Sequence, residues 1–238
     1  MNLIELSKYL QDEKAAEDYL YEKGILKRFT ECPYCGSEKI GNISRGRIKC
    51  YKCKKEWHKR KGSFLEGKHI SCSKFIGLIK LVVDDYGLTE ISCDLVLDRK
   101  TVQETHNDLM SILLKQHKLI SIDLEKPSVI FLSKNKEIRL INKDEFTQSQ
   151  NSIKGFIEIS FDRYKGTGGL YSFLINAKYY GNQKEQQALN NFLSFTKMRL
   201  ISFRGIKYSN LFDYLTETII RFNLREQDYY EYILKMIM

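Results

Sequence analysis

Two Cys-x-x-Cys pairs, Cys32/Cys35 and Cys50/Cys53, stand fourteen residues apart. A Cys-x-x-Cys step can sit on a tight turn with both sulfurs on one side. Two such turns facing each other build a tetrahedral four-thiolate site, a geometry that suits zinc. Pro33 and Gly36 favour the first turn. Between the pairs, Ile43, Arg45, Arg47 and Lys49 recur at every second position of the segment from Ile40 to Lys49, the period of a hairpin. The pattern reads as a zinc ribbon with Cys32, Cys35, Cys50 and Cys53 as ligands. Its Zn²⁺ is structural, because four protein thiolates close the coordination sphere. A disulfide or redox pair is the competing reading. Of the six cysteines the other two, Cys72 and Cys93, are isolated, which fits a reducing compartment better than a disulfide framework.

Charge is concentrated around the same stretch. Between Lys27 and Lys80 there are fifteen Lys/Arg against four Asp/Glu, a net of +11; the whole chain carries +9, so the remainder carries −2. A local positive field of this kind points to a polyanion, with nucleic acid as the first choice. A merely solvated lysine-rich surface is the alternative. Hydrophobic residues make up 42% of the chain, which excludes a disordered polymer. No apolar run is long enough to cross a membrane, and the opening M-N-L-I-E-L-S-K-Y-L is too polar for a signal peptide. Cytoplasmic residence is therefore expected, with no membrane partner and no small-molecule substrate.

Residues 3–10 and 13–23 read as two short helices, with Gly24 as the stop of the second. After Cys53, Trp57 closes the small ribbon core, and Lys59, Arg60 and Lys61 form a basic patch suited to phosphates. His58 is a lesser alternative as a ligand, since four cysteines are already well spaced. Ser73 to Tyr86 shows a helical apolar stripe ended by Gly87. Thr89 opens a short helix, Val96-Leu97 makes a turn, and Asp98 caps a third helix from Arg99 to about Leu114. This succession is a helix-turn-helix pattern, with a plain three-helix bundle as the alternative. Arg99, Lys100, Thr101 and Gln103 then lie where a recognition helix meets base edges. The expected DNA contacts are completed by Arg45, Arg47 and Lys52.

From Leu119 the pattern becomes strand-like: Leu119–Asp123, Ser128–Leu132, Ile138–Ile141, Gly155–Phe161 and Leu170–Leu174, with hinge-like polar stretches between. Helices follow over Gln183–Leu200, Tyr208–Asn223 and Glu226–Ile237. The fold class is therefore α+β and multidomain. N-terminal helices occupy 1–28, a four-cysteine ribbon 29–61, a helix-turn-helix 70–116, and a mixed α/β domain 117–238.

The order of these parts, with certain blocks, resembles a known family. The blocks are Cys32-Pro33-Tyr34-Cys35-Gly36-Ser37, Arg47-Ile48-Lys49-Cys50-Tyr51-Lys52-Cys53, Gly62-Ser63-Phe64-Leu65-Glu66-Gly67, Phe192–Leu200 (F-L-S-F-T-K-M-R-L) and Arg221-Phe222-Asn223-Leu224-Arg225. They are similar to the bacterial insertion-sequence transposases that carry an N-terminal zinc ribbon and a DDE catalytic domain, the ISXO-type group. The resemblance covers roughly residues 12–115 and 185–237. It implies a ribonuclease-H-like last domain, double-stranded DNA as partner and a bacterial cytoplasm; a homodimer is a separate option.

The resemblance also implies three carboxylates holding two Mg²⁺ or Mn²⁺ ions for in-line attack on phosphorus. Asp123 and Asp162 are the candidates for the first two. The third position, two residues before the first Phe of the F-x-x-F block, is Asn190, which is neutral; Glu185 lies five residues earlier on the presumed helix. The segment between Asp123 and Asn190 is also short for five strands with intervening helices. The expectation is a DNA-binding transposase-family protein with impaired or absent strand transfer, and Mg²⁺ only where that site works. The alternatives are a zinc-ribbon/helix-turn-helix transcriptional regulator with a C-terminal dimerisation domain, and a metal-dependent nuclease with other carboxylates. RNA binding through the ribbon stays open.

Overall fold

A computed structural model describes residues 1–116, 128–133, 135–148, 155–159, 178–180, 183–202 and 208–238. The strands expected at Leu119–Asp123 and Leu170–Leu174 lie outside these residues. The described elements are mixed helix and strand, with two antiparallel sheets. The chain divides into two compact units, Met1–Ile112 with Tyr229–Met238, and Leu113–Asp228. The boundary expected at 117 is close to this division. The last ten residues, however, fall in the first unit, although the sequence grouped them with the mixed domain.

The first unit contains helices α1 (Leu3–Gln11), α2 (Glu13–Glu22), α3 (Cys72–Val83), α4 (Leu88–Asp94) and α5 (from Arg99, running on to Gln116), and strands β1 (Ile40–Ile43), β2 (Arg47–Cys50) and β3 (Glu56–His58). The strands pair antiparallel in the order β1-β2-β3. The hairpin was anticipated; the third strand was not, because three residues carry too little periodicity to read. The helices gather around α3, which buries Cys72, Phe75, Ile76, Leu78, Ile79 and Val82. Such burial on most sides marks a central helix rather than an amphipathic surface one. Gly77 makes room for this: a Cβ there would stand 2.9 Å from Leu95 Cδ2 and 3.0 Å from Leu10 Cδ2.

Both ends of α3 are sealed by specific groups. Ser71 Oγ accepts the Lys74 N–H at 3.2 Å, and the Glu13 carboxylate of α2 accepts the Cys72 and Ser73 N–H groups at 2.7 and 2.9 Å. Burial works against the Glu13 carboxylate, but these backbone donors overrule it and hold its pKa below the ordinary value. At the other end Asp85 takes a left-handed φ of 65°, the Tyr86 N–H reaches Leu81 O at 3.0 Å and the Asp85 N–H reaches Val82 O at 3.1 Å. This is the usual left-handed helix closure, made with Asp in the glycine position. Gly87, expected to stop α3, instead precedes α4 and donates its N–H to Glu90 Oε2 at 2.9 Å; Thr89, expected as the cap, lies inside α4.

The α4–α5 connection uses the same closure with a less suitable residue. Val96 has φ 49°, while Leu97 N–H donates to Ser92 O at 3.0 Å and Val96 N–H to Cys93 O at 3.2 Å. A β-branched side chain is strained in this region, and Val96, 80% exposed, gains little burial in return. Asp98 caps α5 as expected, accepting the Lys100 N–H at 2.8 Å.

A last helix, Tyr229–Met236, supplies Tyr230, Ile233 and Leu234 to the first unit's core and packs on α3. Lys23 Nζ meets Glu231 at 2.8 Å.

The second unit is built on β4 (Ser128–Leu132), β5 (Ile138–Asn142), β6 (Phe156–Ile159) and β7 (Lys178–Tyr180), ordered β5-β4-β6-β7. Every described pairing in this sheet is antiparallel. Helix α6 (Lys143–Gln148) occupies part of a stretch expected to be a polar hinge; α7 (Gln183–Ser202) and α8 (Tyr208–Asn223) match expected helices, which makes the C-terminal helix α9. Strand β4 is buried on both faces. Ile130 joins Leu189, Phe192, Leu193, Leu215 and Ile219, whereas Val129 and Phe131 meet Phe146 of α6. Asn223 closes the outer side of β5: its Oδ1 accepts the Ile138 N–H at 2.8 Å and its Nδ2 donates to Ile138 O at 2.9 Å. The side-chain amide thus imitates a neighbouring strand at a sheet edge.

Two outcomes follow. Ending the chain at Asp228 removes four buried side chains, Tyr230, Ile233, Leu234 and Ile237, and is expected to destabilise the first unit by several kcal/mol; amide hydrogen exchange over α2 and α3 should rise, while α7 and α8 keep their protection. Val96→Asn, which suits a left-handed residue, is expected to raise stability by about 1 kcal/mol in denaturant melts.

Candidate metal centre and basic surface

The two cysteine knuckles are conformational copies. In the first, the Cys32 N–H donates to Ser37 O at 2.9 Å; in the second, the Cys50 N–H donates to Lys55 O at 2.9 Å. The residue four places after the first cysteine is left-handed in both, Gly36 at φ 64° and Lys54 at φ 62°. Glycine signalled the first turn; nothing at Lys54 signalled the second. The result is four convergent sulfurs. Cys32 Sγ and Cys53 Sγ are 3.6 Å apart, Cys35 Sγ and Cys50 Sγ 3.7 Å, and all four lie within 4.8 Å of one another.

Thiolates about 2.3 Å from a tetrahedral zinc stand roughly 3.8 Å apart, so the donor set fits that ion. Disulfides, with sulfurs about 2.05 Å apart, do not fit. Backbone donors point at two of the sulfurs: the Cys53 N–H reaches Cys50 Sγ at 3.4 Å and the Tyr34 N–H reaches Cys32 Sγ at 3.5 Å. The Cys53 N–H, aided by Lys52's, draws Cys50 down to about 6. Among the described residues these cysteines are the group of side chains placed to share a metal ion. They can hold one, compatible with structural zinc.

Behind the sulfurs, Ile48 and Trp57 are buried, with Phe29 and Ile40 against them. Trp57 meets Phe29 edge-on at 5.6 Å and Tyr34 at 6.1 Å. His58 stays out of the cluster, and its Nδ1 accepts the Arg60 N–H at 3.2 Å. Burial, and then the neighbouring Arg60, Lys59 and Arg47 charges, hold its pKa below the ordinary imidazole value.

The residues chosen for DNA contact divide sharply. Arg45 is exposed at the β1–β2 turn, where φ is 59° at Arg45 and 66° at Gly46, the signs of a tight hairpin turn. Lys52 is exposed. Arg47 leans on Glu56 at 3.5 Å. The Lys59-Arg60-Lys61 patch does not stand free. Lys59 pairs with Glu17 at 2.6 Å. Arg60 Nη1 donates to Ile70 O at 2.6 Å and Lys68 O at 3.3 Å, and Nη2 approaches Cys72 Sγ at 3.6 Å. Lys61 Nζ donates to Tyr34 Oη at 2.6 Å and stands 4.0 Å over its ring. Lys59 and Arg60 fasten the cysteine module to its neighbours, and Lys61 ties the module's end back onto its first knuckle.

On α5, Arg99 and Lys100 are exposed, and Lys100 is only loosely paired with Glu104 at 3.8 Å. Thr101 is half-buried, and Gln103 donates to Asn107 at 2.8 Å. Arg45, Lys59 and Arg60 share a cleft with His58, Lys68 and His69. Lys68 and His69 escaped the sequence reading because no spacing singles them out.

Asp123 and Asp162 lie outside the described residues. Asn190 is exposed on α7. The two late blocks serve packing. Arg199 and Arg221 flank Glu217, each 2.8 Å from its Oε1 and all buried. Phe192 and Phe195 meet Phe222 edge-on, and Asn223 seals β5. The expected ribonuclease-H-like arrangement calls for five strands with helices between them. The described residues give four strands, all antiparallel, with the six-residue α6 as the described helix among them.

No protein-family model, curated protein or solved structure matches the chain.

The cluster predicts that the purified protein carries one zinc ion per chain by elemental analysis. A strong chelator, or Cys50→Ser, should red-shift the emission of Trp57, the single tryptophan, and open residues 29–61 to protease while α7 and α8 stay protected.

Proposed function

We propose that this is a DNA-binding protein of the insertion-sequence transposase type. In this reading a zinc ribbon at Cys32–Cys53 and a helix-turn-helix formed by α3, α4 and α5 hold transposon-end-like double-stranded DNA, and DDE strand transfer is impaired or absent. The observation that carries it is the set of cations that stay exposed: Arg45 and Lys52 on the cysteine unit, and Arg99 and Lys100 on the first turn of α5. Support for the helix-turn-helix comes from the four-residue connection Leu95–Asp98. It is tied back by reciprocal bonds, Ser92 Oγ to Leu97 O at 2.8 Å and Leu97 N–H to Ser92 O at 3.0 Å. That connection leaves the start of α5 open to solvent, where a recognition helix meets bases.

Impaired chemistry is supported by Asn190. An amide brings no charge to hold a second divalent ion. The antiparallel sheet, with late blocks committed to packing, favours a second reading, a transcriptional regulator whose second unit dimerises or senses.

The tests separate these parts. Arg99→Ala, Lys100→Ala and Gln103→Ala should change which duplex sequences are preferred in a binding selection, whereas Lys52→Ala should weaken all sequences alike and flatten the salt dependence. Wild-type protein with Mg²⁺ or Mn²⁺ should leave labelled transposon-end DNA intact. Nicking or joining of that DNA would show that the catalytic domain works, and restored cleavage in Asn190→Glu would place the other two carboxylates in a live site.

A further inference from the structure

The cleft beside the β1–β2 turn has a volume of about 740 Å³ and is lined by Arg45, His58, Lys59, Arg60, Lys68 and His69, with no carboxylate among its lining residues. Two of these cations are answered from outside it, Lys59 by Glu17 and Lys68 by Asp108, and Arg60 spends its Nη atoms on carbonyls and a sulfur. Arg60 Nε is buried without a hydrogen-bond partner. Arg45 and His69 are exposed and have no partner among the described residues. The lining thus keeps an excess of positive charge after its internal pairs are made.

His58 adds a donor that needs no titration. Its Nδ1 accepts the Arg60 N–H at 3.2 Å, so the neutral ring carries its proton on Nε2 and offers an N–H. Gly46 keeps this wall clear, since a Cβ there would lie 3.3 Å from His58 Nε2 and 3.3 Å from Lys59 Cε.

We infer that this cleft seats phosphates of a nucleic-acid sugar–phosphate backbone, with Arg45 and His69 as the recruiting groups and His58 and Lys59 behind them. This rests on the nucleic-acid reading above and assigns it a place. Two features select backbone over a free nucleotide or a carboxylate metabolite. No Phe, Tyr or Trp side chain lines the cleft, so it lacks the broad aromatic platform on which bases usually stack. The volume also exceeds what a single free phosphate ion fills. The contact is indifferent to sequence and sets register, leaving base edges to another surface.

The test uses the full chain, a short duplex of arbitrary sequence, and inorganic phosphate as the second probe. Arg45→Asn keeps a residue suited to the left-handed turn and removes the charge; it is combined with His69→Gln, also at an exposed position. Lys14→Gln, on the exposed start of α2, controls for the loss of net charge. The double variant should keep its zinc content and melting point, and lower the slope of log affinity against log salt by about 1. Lys14→Gln should leave that slope in place. The imidazole NMR signals of His58 and His69 should move on adding duplex.

If wild type binds duplex, the double variant keeps the wild-type slope and the two imidazole signals stay still, the cleft is overturned while DNA binding stands. If wild type binds no nucleic acid but inorganic phosphate moves both imidazole signals, backbone is overturned as the occupant and the nucleic-acid reading falls with it. If neither probe moves them, the site itself is refuted.

Discussion

Four sulfurs, 3.6 and 3.7 Å apart in two cross-knuckle pairs and all within 4.8 Å of one another, are the constraint on which the basic half of the molecule depends. Four thiolates at that separation repel unless a cation sits among them, and four thiols there gain little from one another. Behind them the buried residues are few, Cys32, Ile48, Cys50 and Trp57. A sheet of three short strands with so small a core has little hydrophobic stabilisation of its own. A metal ion held by the four cysteines would supply what the apolar area lacks. The β1–β2 turn and β3, which frame the cationic cleft, are placed by the same two knuckles.

The cysteine module is then fastened to the helices by charged groups rather than by a broad apolar contact. Arg60 is the central fastener: its guanidinium holds the carbonyls of Lys68 and Ile70, the two residues that lead into α3. Glu13 caps the start of that same helix from α2, and Lys59 reaches Glu17 on α2. A basic segment does two jobs at once here. Cations that meet a carboxylate, a carbonyl or a ring in the fold organise the module, and those left in water, Arg45 above all, are available to a polyanion.

In the second unit the blocks that prompted the transposase resemblance have a physical role independent of any reaction. Arg199, Glu217 and Arg221 form a buried charge cluster between α7 and α8, where losing one partner strands the others in a low-dielectric interior. Asn223 satisfies both backbone groups of Ile138. Such positions hold a fold together whether or not it cuts DNA.

Much of this was legible locally. The cysteine spacing announced the convergent thiols, and the apolar run at Ser128–Leu132 and the caps Asp98 and Gly24 act over a few residues, so the sequence alone determined them. The same holds for the +11 segment, whose charge is a matter of composition. Only the tertiary structure decided which of those charges are spent. The pairing of Lys59 with Glu17 joins residues 42 apart, and that of Lys23 with Glu231 joins residues 208 apart. It also decided that the C-terminal helix belongs to the first unit, and that Asp85 and Val96 close helices where glycine is the usual choice. A residue's type states what it can offer; what it meets depends on chain closure over long separations, and periodicity and spacing carry no record of that.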